Sequence, residues 1–137
     1  MSAQIFSGSL SYSKPQMHAT LESSLGGVCM SIPIITENYE QKLAKETRPI
    51  VVEFFASWCP KCAMMETVFE RIAKKHRHKL AFYRVDVDLE EEAVIRLGVD
   101  VVPTFVVYKN GEIVGYTTDI LSEEILEERI FEMLEES

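Results

Sequence analysis

Cysteine is scarce in this 137-residue chain, with three in all. Two of them, Cys59 and Cys62, stand close together, which leaves Cys29 without an obvious partner. A disulfide-stapled scaffold is therefore excluded, and a reducing compartment fits better. Clustered positive charge is missing as well. Against 14 Lys and Arg there are 22 Asp and Glu, a net charge of −8, and a nucleic-acid surface needs grouped cations that release counterions. No apolar run approaches the roughly 18 to 20 residues of a membrane span. Residues 1–13 hold neither Lys nor Arg, and no apolar stretch of a signal peptide follows them. These absences lead to the expectation of a cytoplasmic protein with no nucleic-acid and no membrane partner.

What is present suits one compact domain: 47% hydrophobic residues, a mean hydropathy near zero, and a length too short for two ordinary cores. Residues 1–30 are rich in Ser and Gly, with Lys14 and Glu22 as their only formal charges and no sustained period. They are expected to form a flexible extension. Met30 is an alternative start, so the first 29 residues are either a real extension or an artefact of start-site assignment. The folded domain is expected over residues 31–137.

From Ser31 the pattern is regular. Thr36 is expected to cap a short helix ending near Lys45, with Tyr39 and Leu43 as its apolar side. Ile50 to Phe55 is a nearly continuous apolar run, as in a central strand covered on both faces. The next helix lines up Met65, Phe69 and Ile72, with Val68 beside them, and Leu80 to Val87 reads as a second strand. Asp88 is expected to cap a third helix with Glu91 in the capping-box position and Gly98 as its stop. Val99 to Tyr108 reads as a strand interrupted by Pro103. Asn110-Gly111 signals a type I′ hairpin into Glu112 to Tyr116, and Ser122 caps a last helix with Leu126, Ile130, Met133 and Leu134 as its apolar side. The order α, β, α, β, α, β, β, α implies an α/β fold, a mixed sheet with helices on both faces.

The chemistry concentrates in Trp58-Cys59-Pro60-Lys61-Cys62. Two cysteines separated by two residues can cycle between dithiol and disulfide, and this pair falls at a strand-to-helix junction. A helix N-terminus offers unpaired N–H groups and the positive end of the macrodipole, which favour a thiolate. Cys59 is then the nucleophile, and Cys62, one turn inside, resolves the mixed disulfide. Pro60 suits the first helical position, and Lys61 adds a cation.

Val52-Glu53-Phe54-Phe55-Ala56-Ser57-Trp58-Cys59, the second cysteine at Cys62, Val101-Val102-Pro103-Thr104-Phe105 and Lys109-Asn110-Gly111-Glu112 together resemble the thioredoxin family, in order and spacing, over about Ile34 to Ser137. The resemblance implies the thioredoxin fold, with a central sheet of four to five strands. It implies a monomeric protein-disulfide reductase with no bound cofactor beyond the redox-active Cys59–Cys62 pair. Its electrons would come from a thioredoxin reductase, NADPH- or ferredoxin-linked, and its substrates would be disulfide-containing proteins. Pro103 would be cis and lie beside the pair, with the Val102 backbone hydrogen-bonding an extended substrate. Trp58, Pro60, Lys61, Val102 and Pro103 would make the docking surface. Glu53 stands where the family has a buried aspartate, and burial would raise its pKa and suit it to take the Cys62 proton.

Other departures from the family pattern carry their own expectations. Lys61 replaces a proline and should make the pair more oxidising. Thr67 replaces a helix-kinking proline, Asp119 a groove-lining glycine, and Arg84 a lysine that pairs with the buried acid. Met64 and Met65 are read as padding for the substrate face. Bland readings stand beside these: a solvated face for the seven glutamates of the last fifteen residues, a surface strand position for Glu53, and core filling for Trp58. A zinc site would have to recruit Cys29, His76 or His78, and no metal is expected. A redox-insensitive adaptor or folding aid, and a more oxidising oxidase or isomerase, are the alternative functions.

Overall fold

The computed structural model describes residues 32–119 and 122–137. The expectations about residues 1–30, including Cys29, lie outside the described residues. Five strands and four helices alternate: β1 (Ile34–Ile35), α1 (Tyr39–Ala44), β2 (Ile50–Phe55), α2 (Pro60–His76), β3 (Ala81–Asp86), α3 (Glu91–Leu97), β4 (Thr104–Lys109), β5 (Glu112–Thr118) and α4 (Glu123–Glu136). The sheet runs β1-β3-β2-β4-β5. Strands β1, β3 and β2 are parallel, and β4 and β5 pair antiparallel on the other side of β2.

The apolar run at Ile50 becomes the central strand because both its faces are covered, and all six of its residues are buried. Alternation then sorts its side chains. Val52 and Phe54 join Ile35, Tyr39, Leu43, Val85 and Ala93 in one core cluster. On the opposite face Phe69 of α2 packs against Phe82 and Phe105, with ring centroids 5.6 and 5.3 Å apart. Met65, Ile72, Leu126 and Ile130 are fully buried. Arg71 and Lys75 of α2 pair with Glu123 and Glu127 of α4 at 2.7 to 3.1 Å. These exposed pairs contribute little beside the apolar burial.

Several local expectations match the structure. Asn110 and Gly111 have φ of 56° and 81°, the paired positive values that a type I′ turn requires. Gly98 ends α3 in the left-handed region at φ 74°. The Ser122 hydroxyl accepts a hydrogen bond from the Ile125 N–H at 3.1 Å. Helix α2 runs uninterrupted through Thr67.

Four expectations are corrected. The cap of α1 is Asn38, not Thr36, because Asn tolerates the left-handed φ of 57° at which the chain enters the helix. The cap of α3 is Glu90, with no side-chain bond, since the Asp88 carboxylate is turned to another partner described below. Strand β4 begins only at Thr104, because residues 99–103 form the loop that carries Pro103. Strand β1 was not expected from the pattern. Its two residues have too little sequence for a period to register, and they are held by parallel pairing with Arg84 and Val85.

Candidate active site at the start of helix α2

Chain direction brings the site together. Strand β2 ends at Phe55, the Cys59 N–H donates to the Ala56 carbonyl at 3.2 Å, and α2 opens at Pro60. Proline has no N–H to leave unpaired there. Cys59 is itself the N-cap, and its Sγ accepts the Cys62 N–H at 3.2 Å. The sulfur thus occupies the position that a Ser or Asp oxygen takes in an ordinary cap, facing the N–H groups of the first turn. On the other side, Cys59 Sγ lies 3.8 Å from the Val102 carbonyl oxygen. The Val102–Pro103 peptide is cis. Thr104 closes this loop by donating its hydroxyl to the Val101 carbonyl at 2.7 Å.

The two thiols are inequivalent. Cys59 is 7% exposed and Cys62 1%, and neither is in a disulfide. Burial pushes the Cys62 thiol up to about 12, helped by its hydrogen bond to Cys59 and by the charges of Cys59 and Glu53. Glu53 points from β2 into the face that α2 covers, and it is fully buried. It stands opposite Arg84 in the parallel β2–β3 register, and Arg84 Nε donates to Glu53 Oε1 at 3.0 Å. The other oxygen, Oε2, has no hydrogen-bond partner among the described residues. Burial therefore outweighs the arginine and raises the Glu53 carboxyl to about 7. Glu53 is neither a surface residue nor an equal partner in a simple ion pair.

The rim is exposed and partly apolar. Trp58 is 66% exposed, and its indole N–H donates to Asp88 Oδ2 at 2.9 Å. The Asp88 N–H in turn donates to Asp86 Oδ1 at 2.9 Å. This is why Asp88 does not cap α3: a buttress for Trp58 could not be read from helix-start rules. Trp58, Val87, Val94, Val99, Asp100, Val101 and Val102 line an open groove of about 170 Å³. Pro60 and Lys61 are exposed on the first turn of α2, and Pro103 is buried beneath the loop. Met64 is exposed at the rim, but Met65 is 1% exposed and belongs to the core, because a step of one residue on a helix turns the side chain by about 100°. Asp119 is exposed with φ 76°, a left-handed conformation that favours glycine. His76 lies in the last turn of α2, where its Nε2 meets Glu127 and its ring packs edge-on against Phe131 at 4.8 Å.

A dithiol at a helix N-terminus, one sulfur facing a loop carbonyl and the other buried above a carboxyl, defines a thiol–disulfide oxidoreductase. The thioredoxin family model matches residues 31–132. The chain is 42% identical over 81 residues to a thioredoxin-like protein of Fusarium culmorum, covering 57% of this chain and 67% of that one. It is 41% identical over 73 residues to thioredoxin H4 of Arabidopsis thaliana, covering 53% and 61%. The matched stretch thus spans about two thirds of the length of these curated relatives. The solved structure of Fasciola hepatica thioredoxin superposes with a TM-score of 0.68 at 33% identity, covering 74% of this chain and 99% of that one. The chain belongs to the thioredoxin family.

Proposed function

We propose that this protein reduces disulfide bonds in other proteins. The observation that most supports the reading is the contrast within the pair: Cys59 Sγ faces the first-turn N–H groups, whereas Cys62 is a buried thiol held protonated up to about 12. The Cys59 thiolate attacks one sulfur of the substrate disulfide, which breaks and releases the other as a thiolate. Cys62 then gives its proton to Glu53, and its sulfur bonds to Cys59 and displaces the remaining substrate sulfur. The protein's dithiol is oxidised by two electrons and the substrate disulfide is reduced by two. In the mixed disulfide Cys59 carries no charge, so part of what holds the Cys62 proton is gone. Burial remains, and a nearby base is needed.

Trp58, Pro60, Lys61, Val102 and Pro103 form the surface on which an extended substrate segment docks, with the Val102 backbone as a hydrogen-bonding edge. The functional domain is residues 31–137, acting as a monomer in the cytoplasm with no bound cofactor. Electrons to regenerate the dithiol come from a thioredoxin reductase, either an NADPH-linked flavoprotein or a ferredoxin-linked enzyme. No helix among the described residues is long and apolar enough to cross a membrane.

Reduction of insulin with dithiothreitol as electron source tests the reading. Cys59→Ser should abolish catalysis, and Cys62→Ser should accumulate a mixed disulfide. A Cys59→Ser variant that keeps full partner binding and loses no cellular role would favour an adaptor. Equilibration with glutathione, followed by fluorescence of Trp58, the single tryptophan, separates the redox classes. A potential near about −270 mV supports a reductase, and one near about −180 mV or above points to an oxidase or isomerase.

A further inference from the structure

Arg84 spreads one positive charge over two carboxylates. Its Nε donates to Glu53 at 3.0 Å, and its Nη1 lies 3.6 Å from Glu66 Oε2. The guanidinium carbon sits 3.9 Å from the centroid of the Phe55 ring, so the planar group is held flat between strand and helix. The side chains grade outward: Glu53 is fully buried, Arg84 9% exposed and Glu66 48% exposed. Glu66 lies four residues beyond Cys62 on α2, and so on the same stripe of the helix. The groups that face Glu53 are Arg84 from β3 and Glu66 and Glu70 from α2, together with the Cys62 thiol. Its neighbour across β4, Phe105, is apolar.

We propose that Glu66 is a positioning residue for thiol–disulfide exchange: by sharing Arg84 it leaves the buried Glu53 carboxylate only partly neutralised, and so keeps it a strong enough base to take the Cys62 proton. This rests on the role given to Glu53 above. A lone Arg84 turned wholly toward Glu53 would stabilise the carboxylate and weaken it as an acceptor. Glu66 draws off part of that field and adds its own negative charge from the solvent side. The burial that raises the Glu53 carboxyl is thereby less offset by its arginine, in keeping with the upward effect of Glu66 on that group.

The test uses the full-length protein and insulin as probe, with the pH dependence of single-turnover reduction measured beside a carbon-13 titration of the Glu53 carboxyl. Glu66→Gln should move the Glu53 midpoint and the matching limb of the rate profile about half a unit to lower pH, a shift that shrinks in 1 M salt because Glu66 is half-exposed. Glu66→Asp, which keeps the charge, should stay near the parent. Unchanged midpoints in Glu66→Gln would overturn the proposal, as would a Glu66→Asp variant that shifts as far as Glu66→Gln. Glu53→Gln separates the two levels. Loss of the limb there, with no shift in Glu66→Gln, defeats only the role of Glu66; a limb that survives Glu53→Gln defeats the role of Glu53 and this proposal with it. The carbon-13 midpoint in Glu66→Gln decides the matter even if Glu53→Gln does not fold.

Discussion

Replacing Glu53 by glutamine should stabilise the protein at neutral pH and leave it unchanged in acid. Glu53 is fully buried, and its carboxyl is raised from 4.5 to about 7 by burial, against the pull of Arg84. A carboxyl whose folded pKa lies above its unfolded value ionises first in the unfolded chain. Its contribution is therefore fully present below about pH 4.5, is lost as pH rises, and is gone above about pH 7. A shift of some 2.5 units corresponds to roughly 3 kcal/mol at 1.36 kcal/mol per unit. Glutamine is close in shape and carries no charge, and its carbonyl oxygen can still accept from Arg84 Nε.

The assay is urea denaturation of the reduced protein and of Glu53→Gln at pH 4.5, 6 and 8. The variant should gain up to about 3 kcal/mol over the parent at pH 8, or roughly 1 to 3 M in midpoint for typical urea slopes, and the gap should close by pH 4.5. Glu46, Glu123 and Glu127, whose carboxyls are lowered by their Arg, Lys and His partners, act in the opposite sense. They are common to both proteins and cancel in the difference. A gap between variant and parent that is the same at all three pH values would refute the assignment of Glu53 as a buried, costly acid.

Further expectations follow from packing and charge. Gly115→Ala would put a Cβ 2.7 Å from Met133 Sδ and 2.8 Å from its Cγ, so it should cost about 1 to 3 kcal/mol; thermal melts should recover part of the loss when Met133→Ala is added. Phe69→Ala, emptying the space between Phe82 and Phe105, should cost about 3 to 5 kcal/mol in denaturant titration. Ser122→Ala removes the bond to the Ile125 N–H and should cost about 1 kcal/mol, read as earlier melting of the fold. Lys61→Ala removes an exposed cation at the start of α2. A surface charge at a helix end is worth about 0.3 to 1 kcal/mol, so the potential of the pair should fall by about 10 to 20 mV, at 30 mV per 1.4 kcal/mol. A rise would contradict the expected effect of that lysine.

The sequence by itself determined what neighbours in the chain decide. The apolar run Ile50 to Phe55, the cysteine spacing at its end, Gly98 as a stop, the Asn110-Gly111 turn and the Ser122 cap all act within a few residues of themselves, so their meaning survives without the rest of the fold. The family resemblance added the place of Pro103. Tertiary structure alone decided how deeply Glu53 is buried, that Arg84 stands opposite it in register, and that Glu66 reaches the same guanidinium. It turned Asp88 from helix cap to partner of Trp58, gave β1 its pairing, and put Met65 in the core while Met64 stayed at the rim. The reason is physical: a pKa or an ion pair depends on which atoms lie within a few ångströms, and Glu53 and Arg84 are 31 positions apart in the chain. Periodicity marks a residue's face, but the charge it meets there is supplied by another strand.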